Sequence, residues 1–404
     1  MEKENHNKIQ KDIFIEPWID TEGWNAKDFT EVKTPCYVVS LPHLEKNLKI
    51  LKDVQDRTGA KILLATKGFS MFSTFPLVKK YLAGTEASSV FEARLGMEEC
   101  GGEVHSFCPS YTEENIGDFI KYSDHLVFNS FSQWNRFKET IKNSDKKVSC
   151  GIRVNPEVSV ADVSMYDPSS PNSHFGVTNT NFEADNLGGL EGIHFHNLCE
   201  LNADALEKTL IVVESKFGQF FGQMKWINFG GGHHITRKDY NIELLCTLVT
   251  SFKARYPHLE VYLEPGEAVA LNAGVLVSSV VDVFKNQTNI AVLDVSATCH
   301  MPDVLEIPYL PTILDVKPGT ETDHNIYKLV GPTCLTGDII GEYSMPKELS
   351  VGQKLVFLNM AIYTMVKSNT FNGINLPSIA TMDENNKITI VKEFDYQDFK
   401  GRLS

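Results

Sequence analysis

The chain has 404 residues, 42% hydrophobic and 22% charged, with a formal net charge of −14 at pH 7. This composition is that of a globular protein with ample core, and the negative charge without any basic run disfavours nucleic acid and anionic membranes as partners while favouring small cations. The first residues are polar, no apolar stretch is long enough for a membrane span, and eight scattered cysteines lack CxxC spacing, so we expect a cytoplasmic protein.

After a polar leader at residues 1–33, short apolar runs alternate with amphipathic stretches that space apolar residues at three and four positions, as crossover helices do. Eight β/α units in about two hundred residues is the size of a closed parallel barrel. We therefore predict a (β/α)8 barrel over residues 34–270, because no GxGxxG opens a first helix as the alternative, a doubly wound open sheet, would favour. The strand candidates are residues 61–67, 84–89, 104–109, 125–129, 148–155, 190–197, 226–230 and 261–264.

The pattern of apolar residues changes after the predicted barrel. The runs at residues 274–284, 290–296 and 354–360 are short, β-branched and separated by glycine and proline turns. This pattern predicts a second, antiparallel β-barrel-like domain over residues 271–404, so the fold class is α/β with an added β domain. The run at residues 34–40 is also strand-like and is a candidate to join that β domain from the other end of the sequence.

A lysine, Lys67, ends the apolar run at residues 61–67 and is followed at once by glycine. The C-terminal tip of a barrel strand is where barrel enzymes keep their reactive groups. A primary amine partly shielded from water is a nucleophile toward aldehydes, so the first hypothesis is a Schiff base with a carbonyl cofactor. A solvated lysine that caps a strand is the alternative for this residue taken alone.

Three later strand candidates also end in chemically useful groups. In the sixth, alternation places His194 and His196 on one side, where an imidazole could stack on an aromatic ring or bind a metal. The seventh ends in a glycine triplet at residues 230–232, whose bare amides can surround a phosphate, although such a triplet is as often a tight turn. The eighth ends in Glu264, and a carboxylate beside a pyridine nitrogen keeps that nitrogen protonated.

A lysine, a stacking histidine, phosphate-binding glycines and a ring-nitrogen carboxylate together predict pyridoxal 5′-phosphate (PLP) as the cofactor. With these residues the chain resembles the fold-type III PLP enzymes related to alanine racemase, ornithine decarboxylase and diaminopimelate decarboxylase. The resemblance runs from about residue 34 to the C-terminus. Three motifs look like signatures of the carboxynorspermidine/carboxyspermidine decarboxylases, the last two being specific within the superfamily: GIHFHNLCE (residues 192–200), SATCHMPDVLE (296–306) and GPTCLTGD (331–338).

The resemblance implies a role for each matching residue. Lys67 would form the Schiff base, His196 would pack against the cofactor ring and Glu264 would bind the pyridine nitrogen. A structural histidine, a core tyrosine and a structural ion pair are the alternatives for His196, Tyr363 and Arg153. The phosphate and the remaining cofactor surroundings would be contributed by Gly230, Gly231, Gly232, Tyr363 and Arg153.

One position departs from the family. Relatives with a Glu-Pro-Gly-Arg motif use the arginine at the phosphate, whereas this chain has Glu267 there. Phosphate binding is then expected to depend on backbone amides and hydroxyls, and Glu267 is expected to face the cationic tail of a substrate. Asp303 and Asp338 are the other acids expected to bind that tail. For each of these acids, a solvated position at the surface is the alternative.

In related decarboxylases the GPTC segment crosses a two-fold interface. The resemblance therefore implies a homodimer with shared active sites, in which Cys334 and Asp338 complete the neighbouring subunit's site and Cys334 donates the proton that replaces CO2. The implied reaction converts carboxynorspermidine or carboxyspermidine, a small cationic carboxylated polyamine, to norspermidine or spermidine. We expect no metal, nucleic acid or membrane to take part.

Three other functions stay open at this stage. A PLP-dependent amino-acid decarboxylase of the diaminopimelate or ornithine type, or a racemase, would share the cofactor. A non-catalytic regulator with a PLP fold is the non-enzyme alternative, against which an intact Lys67 and Cys334 argue. A barrel metal hydrolase would leave Lys67 and the glycines unexplained, but it could use four histidines, His194, His196, His233 and His234.

Overall fold

A computed structural model describes residues 14–160, 167–320 and 323–404. Its contacts divide the chain into two compact units. One unit comprises Glu45–Val269, and the other joins the residues up to Leu44 with Ala270–Ser404. Residues 1–13 of the predicted leader lie outside the described part of the chain. No helix among the described residues is both long and apolar enough to cross a membrane.

The strand β1 (Cys36–Ser40) belongs to the second unit, and the first unit is a closed barrel of eight parallel strands. Each barrel strand overlaps one of the predicted runs, so the predicted (β/α)8 barrel is confirmed and the open-sheet alternative is wrong. The barrel strands are β2 (Lys61–Ala65), β3 (Gly84–Ala87), β4 (Glu103–Phe107), β5 (His125–Phe128), β6 (Ser149–Arg153), β7 (Leu190–His194), β8 (Trp226–Asn228) and β9 (Glu260–Leu263).

Each connection between successive barrel strands contains an α-helix, as the apolar spacing predicts, except the one between β6 and β7, whose described residues form only short 3-10 turns. The helix at residues 131–142 shows how: Ser130 caps its start by accepting a hydrogen bond from the Gln133 amide at 3.2 Å, and its apolar residues at spacings of three and four are buried. The α-helices are α1 (Leu41–Thr58), α2 (Phe75–Val78), α3 (Val90–Leu95), α4 (Ile116–Tyr122), α5 (Phe131–Lys142), α6 (Ala203–Phe217), α7 (Ile242–Arg255) and α8 (Glu267–Ala270), with a π-helical turn at Gly96–Cys100.

The barrel interior is packed around a tryptophan. The indole of Trp226 is buried and donates a hydrogen bond to Ser149 Oγ at 2.8 Å. Two neighbouring strands make room for it with glycine: a Cβ on Gly151 would lie 2.3 Å from the indole ring, and a Cβ on Gly192 only 2.1 Å. Large and small side chains on adjacent strands therefore fill the barrel together.

The second unit is a nine-stranded sheet. The predicted β domain is confirmed, and the strand at residues 36–40 lies in it. Its strands are β1 and β10 (Gly274–Asn286), β11 (Thr288–Leu293), β12 (Lys317–Pro318), β13 (Ile326–Val330), β14 (Ile339–Ser344), β15 (Lys354–Leu358), β16 (Ser378–Met382) and β17 (Ile388–Lys392), with α9 (Ala297–His300), α10 (Asp303–Glu306) and α11 (Tyr396–Lys400). The strands pair in the order β12-β14-β13-β11-β10-β1-β16-β17, and β15 also pairs with β10.

The sheet is mixed rather than purely antiparallel. β1 runs parallel to β16, with Cys36 opposite Ser378, and β11 runs parallel to β13, while the other pairings are antiparallel. All five residues of β1 are buried, because the strand has neighbours on both edges. Strand direction depends on which segments pair, and a periodic apolar pattern does not contain that information.

Adding a methyl group beside Trp226 should test the packing of the barrel interior. Gly192→Ala forces a Cβ into the indole ring, so we expect the free energy of unfolding to fall by about 1–3 kcal/mol, the usual cost of overpacking. The matched control is Gly188→Ala, where an added Cβ has no neighbour within 4 Å. Urea unfolding of both variants provides the comparison, and equal midpoints would contradict the predicted clash.

Candidate active site

A cavity of about 310 Å³ opens at the C-terminal ends of the barrel strands. Barrel enzymes carry their active sites at this end, because the loops that follow all eight strands converge there. Four of the residues predicted from sequence line it: Lys67, Arg153, His196 and Glu264. The other lining residues are Glu86, Ser88, Phe107, Pro109, Pro168, Phe175 and His194.

Lys67 follows β2 and its side chain is exposed to solvent within this opening. The adjacent Gly68 lies against the loop after β9, since a Cβ on Gly68 would be 2.9 Å from the carbonyl carbon of Gly266. The loops after the first and last barrel strands are thus in direct contact. This contact places an accessible primary amine on the same cavity as Glu264, although the two residues are 197 positions apart in the sequence.

Glu264 is buried and firmly held. Its carboxylate accepts hydrogen bonds from Asn228 Nδ2 at 2.5 Å and from His194 Nε2 at 3.1 Å. Burial raises the pKa of Glu264, but the charge and hydrogen bonds of its neighbours, His194 foremost, outweigh burial and leave that pKa below its ordinary value. Burial also lowers the pKa of His194, so a neutral imidazole donates to an ionised carboxylate.

His196 is oriented by the backbone around it. Its Nδ1 accepts a hydrogen bond from the Gly231 amide at 2.9 Å, and its carbonyl accepts one from Arg153 Nη2 at 2.9 Å. Because Nδ1 is an acceptor, the ring carries its proton on Nε2. Burial lowers the pKa of His196 well below its ordinary value, which keeps the ring neutral and suited to flat packing against another ring.

The glycine triplet is needed for close packing as well as for any ligand. Gly230 and Gly232 have φ values of 71° and 81°, and a Cβ on Gly232 would lie 2.0 Å from the Leu198 carbonyl oxygen. The Gly230 amide donates to Asn228 Oδ1 at 2.8 Å and the Gly231 amide donates to His196. Two of the three amides predicted to bind the phosphate therefore already donate hydrogen bonds to protein side chains. The phosphate role of the triplet stays a prediction that rests chiefly on Gly232.

Arg153 lies between two aromatic rings, with its guanidinium carbon 4.5 Å from the ring centroids of both Phe107 and Phe175. Burial lowers the pKa of Arg153 to about 10, against the opposing effect of Glu264 and Glu86. The side chain is still cationic at neutral pH. It supplies a buried positive charge in the cavity through cation–π contacts and the bond to the His196 carbonyl.

Glu267 does not line this cavity. It is buried and forms an ion pair with His234, with Oε2 and Nε2 separated by 2.7 Å. Burial lowers the pKa of His234, but the charge of Glu267 outweighs that effect and leaves the pKa above its ordinary value. The carboxylate that replaces the expected arginine is thus already paired with a neighbouring imidazole, whose protonated form it favours.

The two signature motifs of the second unit are joined by one carboxylate. Asp338 is buried and accepts hydrogen bonds from Ser296 Oγ at 2.9 Å and Thr333 Oγ1 at 2.7 Å, and from the amides of Thr298 and Thr333. A Cβ on Gly331 would lie 2.2 Å from Asp338 Oδ2, so the close turn requires glycine. Asp338 thereby fixes the loop that carries Cys334.

The remaining predicted residues also lie in the second unit. Cys334 is exposed, and its amide donates to Asn372 Oδ1 at 2.9 Å. Asp303 is buried and paired with Lys367. Tyr363 is half-buried and has a positive φ of 41°. These positions do not test the roles assigned to the three side chains, which stay predictions.

Sequence reasoning missed Glu86 as a cavity residue. It lies inside β3, is only 4% exposed, and shares the cavity with Lys67 and Glu264. The available signal was a charged residue within an otherwise apolar and small run, since a strand enclosed in a barrel rarely buries a carboxylate without a purpose. Phe107, which ends β4, and Phe175, in the connection between β6 and β7, were also missed, because an isolated aromatic residue is usually interpreted as part of the core.

The histidines of the metal alternative have protein partners: His194 binds Glu264, His196 binds Gly231, His233 binds the Phe229 carbonyl and His234 binds Glu267. Among the described residues, a different trio groups possible ligands, Glu103, His105 and His125, at the N-terminal end of the barrel strands. The two imidazoles are stacked at 3.9 Å with an angle of 14°, so no ion could lie in the plane of both rings, and Lys61 already pairs with Glu103 at 2.5 Å.

Comparison with known proteins agrees with this geometry. The family described as "Pyridoxal-dependent decarboxylase, C-terminal sheet domain" matches residues 36–361. The chain belongs to the pyridoxal-dependent decarboxylases. PLP is therefore its cofactor and the enzyme is a PLP-dependent carboxy-lyase, so the sequence-based predictions of cofactor and enzyme class are confirmed.

Individual relatives cover nearly the whole chain. The carboxynorspermidine/carboxyspermidine decarboxylase of Campylobacter jejuni is 42% identical over 93% of this chain and 99% of its own length. The carboxyaminopropylagmatine decarboxylase of Synechocystis is 38% identical, with 93% and 96% covered. A crystal structure of the Campylobacter jejuni carboxynorspermidine decarboxylase complexed with norspermidine superposes with a TM-score of 0.86, at 41% identity, covering 92% of this chain and all of that one.

The cavity of this pyridoxal-dependent decarboxylase fits PLP. It presents an accessible amine for an aldehyde in Lys67, an ionised and buried carboxylate in Glu264 and a neutral, backbone-held ring in His196. The Nδ1 atom of His194 is buried without a hydrogen-bond partner in the described part of the chain, which marks an unsatisfied polar group beside the same cavity. The donor set thus matches a cofactor with an aldehyde and a basic ring nitrogen.

Removing the Asp338 charge should loosen the loop that joins the two signature motifs. Asp338→Asn replaces one acceptor oxygen by a donor, so we expect the free energy of unfolding to fall by about 1–3 kcal/mol as buried donors lose their acceptor. The exposed Asp282→Asn in β10 is the matched control, for which a change within about 0.5 kcal/mol is expected. Urea unfolding compares the midpoints of the two variants. An unchanged midpoint for Asp338→Asn would refute the proposed role of Asp338 in holding the loop.

Proposed function

We propose that this pyridoxal-dependent decarboxylase converts carboxynorspermidine and carboxyspermidine to norspermidine and spermidine. The observation that carries the proposal is the 42% identity to the Campylobacter jejuni enzyme of that name over almost the full length of both chains. The negative net charge of −14 suits a substrate whose tail bears several ammonium groups. The sequence motifs of both units support the same assignment.

We assign cofactor binding to the residues that line the cavity. Lys67 would hold the aldehyde carbon, and Glu264 would accept a hydrogen bond from the pyridinium nitrogen, its charge being maintained by Asn228 and His194. His196 would lie flat against the ring, where its orientation is set by the Gly231 amide. Each role needs a protonation state that the observed hydrogen bonds already favour.

When bound, PLP supplies an electron sink for the electron pair that CO2 leaves on the substrate's Cα. The residues of this chain control the surroundings of that carbon. Glu264 stays ionised because two donors face it, the Asn228 amide and the neutral imidazole of His194. The Lys67 side chain is exposed to solvent, so a substrate amine can reach the aldehyde carbon that Lys67 would hold.

We propose that the phosphate is bound chiefly by Gly232 and by Tyr363, since no arginine follows Glu-Pro-Gly in this chain. The contact between Glu267 and His234 supports this division, because the carboxylate at that position already has a histidine partner. A phosphate can then bind through dipolar donors without facing an isolated carboxylate.

We propose that acids beyond the cofactor receive the cationic tail, with Glu267 and Asp303 as the first candidates. Glu267 pairs with His234 and Asp303 pairs with Lys367, cations that a substrate ammonium could supplement or replace. Asp338 differs, because its oxygens accept several hydrogen bonds from two motifs. For Asp338 we therefore propose that it positions Cys334, in addition to the predicted contact with the substrate tail.

We propose a homodimer in which Cys334 of one subunit serves the barrel of its partner. Two observations support it: the thiol is exposed rather than packed in the core, and its loop is held rigid through Asp338 and Asn372. A rigid, exposed thiol on a sheet domain is suited to completing a site on another surface. In the proposed reaction this thiol donates a proton to Cα after CO2 leaves.

Carboxyaminopropylagmatine is a second candidate substrate, because the Synechocystis enzyme named for it is 38% identical over 93% of this chain. The difference in identity between the two relatives is small. Both substrates share a carboxylated head and a cationic tail, so the acids proposed above could serve either. The substrate assay must therefore include this compound.

A substrate panel tests the proposed function. We expect kcat/KM for carboxynorspermidine and carboxyspermidine to exceed that for ornithine, lysine and meso-diaminopimelate by a large factor, since short substrates cannot reach distant acids. Asp303→Asn and Glu267→Gln should lower it about ten- to a hundredfold, as expected for one charge-assisted hydrogen bond, with the cofactor absorption retained. CO2 release provides the measurement. Equal turnover of the amino acids, or faster turnover of carboxyaminopropylagmatine, would reject the assignment.

Mixing two impaired variants tests the shared site. Lys67→Ala and Cys334→Ala subunits, allowed to exchange, should recover up to about a quarter of the wild-type activity per site, because half of the dimers are mixed and one of their two sites is intact. Each variant alone is the control, and exchange is verified with differently tagged subunits. If exchange occurs and activity does not return, both residues belong to one subunit's site.

A further inference from the structure

Glu86 and Glu264 form a pair of buried carboxyl groups on the cavity wall. Each is only 4% exposed, and both line the cavity together with Lys67 and Arg153. Two buried carboxylates close to each other are unfavourable, because each raises the cost of ionising the other. The site must therefore distribute the negative charge unequally.

The hydrogen bonds show which carboxyl carries the charge. Glu264 accepts two bonds, at 2.5 Å and 3.1 Å, from Asn228 and His194. The Glu86 carboxyl accepts a single long bond, at 3.4 Å, from Ser88 Oγ among the residues that the structure describes. An ionised carboxylate needs several donors to offset its lost hydration, and only Glu264 has them.

The charged groups around Glu86 favour the same distribution. Burial and the charge of Glu264 raise the pKa of Glu86 to about 8, and the opposing charge of Lys67 does not cancel them. Glu92, whose carboxylate accepts the Ser88 amide at 2.6 Å, adds a smaller effect in the same direction. Arg153 and the hydroxyl of Tyr111 also interact electrostatically with Glu86.

We propose that Glu86 is a positioning residue that holds a proton in the resting site, so that Glu264 alone carries the negative charge of the pair. The inference rests on the proposed function, because a neutral Glu86 would let the carboxylate of the substrate's head enter without facing two buried anions. It also keeps the ionised partner beside the ring nitrogen. The proton stays on Glu86 Oε at neutral pH, and no covalent step is required of it.

Infrared titration of the purified, cofactor-containing protein tests the proton directly. A protonated carboxyl gives a carbonyl band that an ionised one lacks, and ordinary Asp and Glu side chains are ionised throughout the range from about pH 6 to 9. With the pKa of Glu86 near 8, the wild-type band should fall to about a tenth of its pH 6 amplitude at pH 9. Glu86→Gln should lack this band, and the exposed Glu207→Gln in α6 should retain it.

The pH dependence of unfolding provides a second readout. The folded state binds a proton on Glu86 that the unfolded chain releases, so Glu86 makes stability fall as pH rises from about 5 to 8. Glu86→Gln, which mimics the neutral carboxyl, should remove that fall, and its urea midpoint should rise relative to wild type with increasing pH. Glu207→Gln should keep the wild-type slope.

The two hypotheses fail in different ways. A wild-type protein without a protonated carboxyl band at about pH 6 to 7, or with a band that is unchanged in Glu86→Gln, would overturn the role of Glu86 whatever the substrate panel shows. If Glu86→Gln does not fold, the wild-type titration alone still decides. A titrating band that Glu86→Gln removes, in a protein that does not act on carboxylated polyamines, would preserve the proton on Glu86 and reject the proposed substrates.

Discussion

Closure of the parallel barrel is the constraint on which the rest of the structure depends. β9 pairs with β2, and this pairing brings the loop that follows Glu264 against Gly68. An amine and a carboxylate that are 197 positions apart thus share one cavity. In an open sheet these two strands would be opposite edges, and the same residues could not act on one molecule.

Buried charge sets the chemistry within that cavity. Glu264 can stay ionised because Asn228 and a neutral His194 face it, whereas Glu86 has little hydrogen-bonding support. Arg153 brings its positive charge between two aromatic rings rather than to a carboxylate. Each group obtains its protonation state from a different environment, which is how a single cavity can keep acids and bases of similar intrinsic pKa in different states.

The second unit depends on a comparable use of one acid. Asp338 accepts hydrogen bonds from hydroxyl and amide donors in two separate motifs, and these bonds fix the loop that contains Cys334. The motif resemblance singled out these segments, but a motif does not state what its acid contacts. Glu267 shows the same limit: sequence identified a departure from the family, and the structure shows its charge paired with His234.

Apolar periodicity and the residues at strand ends predicted the eight barrel strands, the following β domain and the cofactor, and the resemblance of three motifs to a known family indicated the decarboxylase class, because all of these depend on local patterns. Only the tertiary structure decided that β1 runs parallel to β16, that two amides of the glycine triplet hold protein groups, and that Glu86 lies beside Glu264. Strand partners, hydrogen-bond acceptors and neighbouring charges are set by residues far apart in the chain, and no local pattern in the sequence encodes which of them meet.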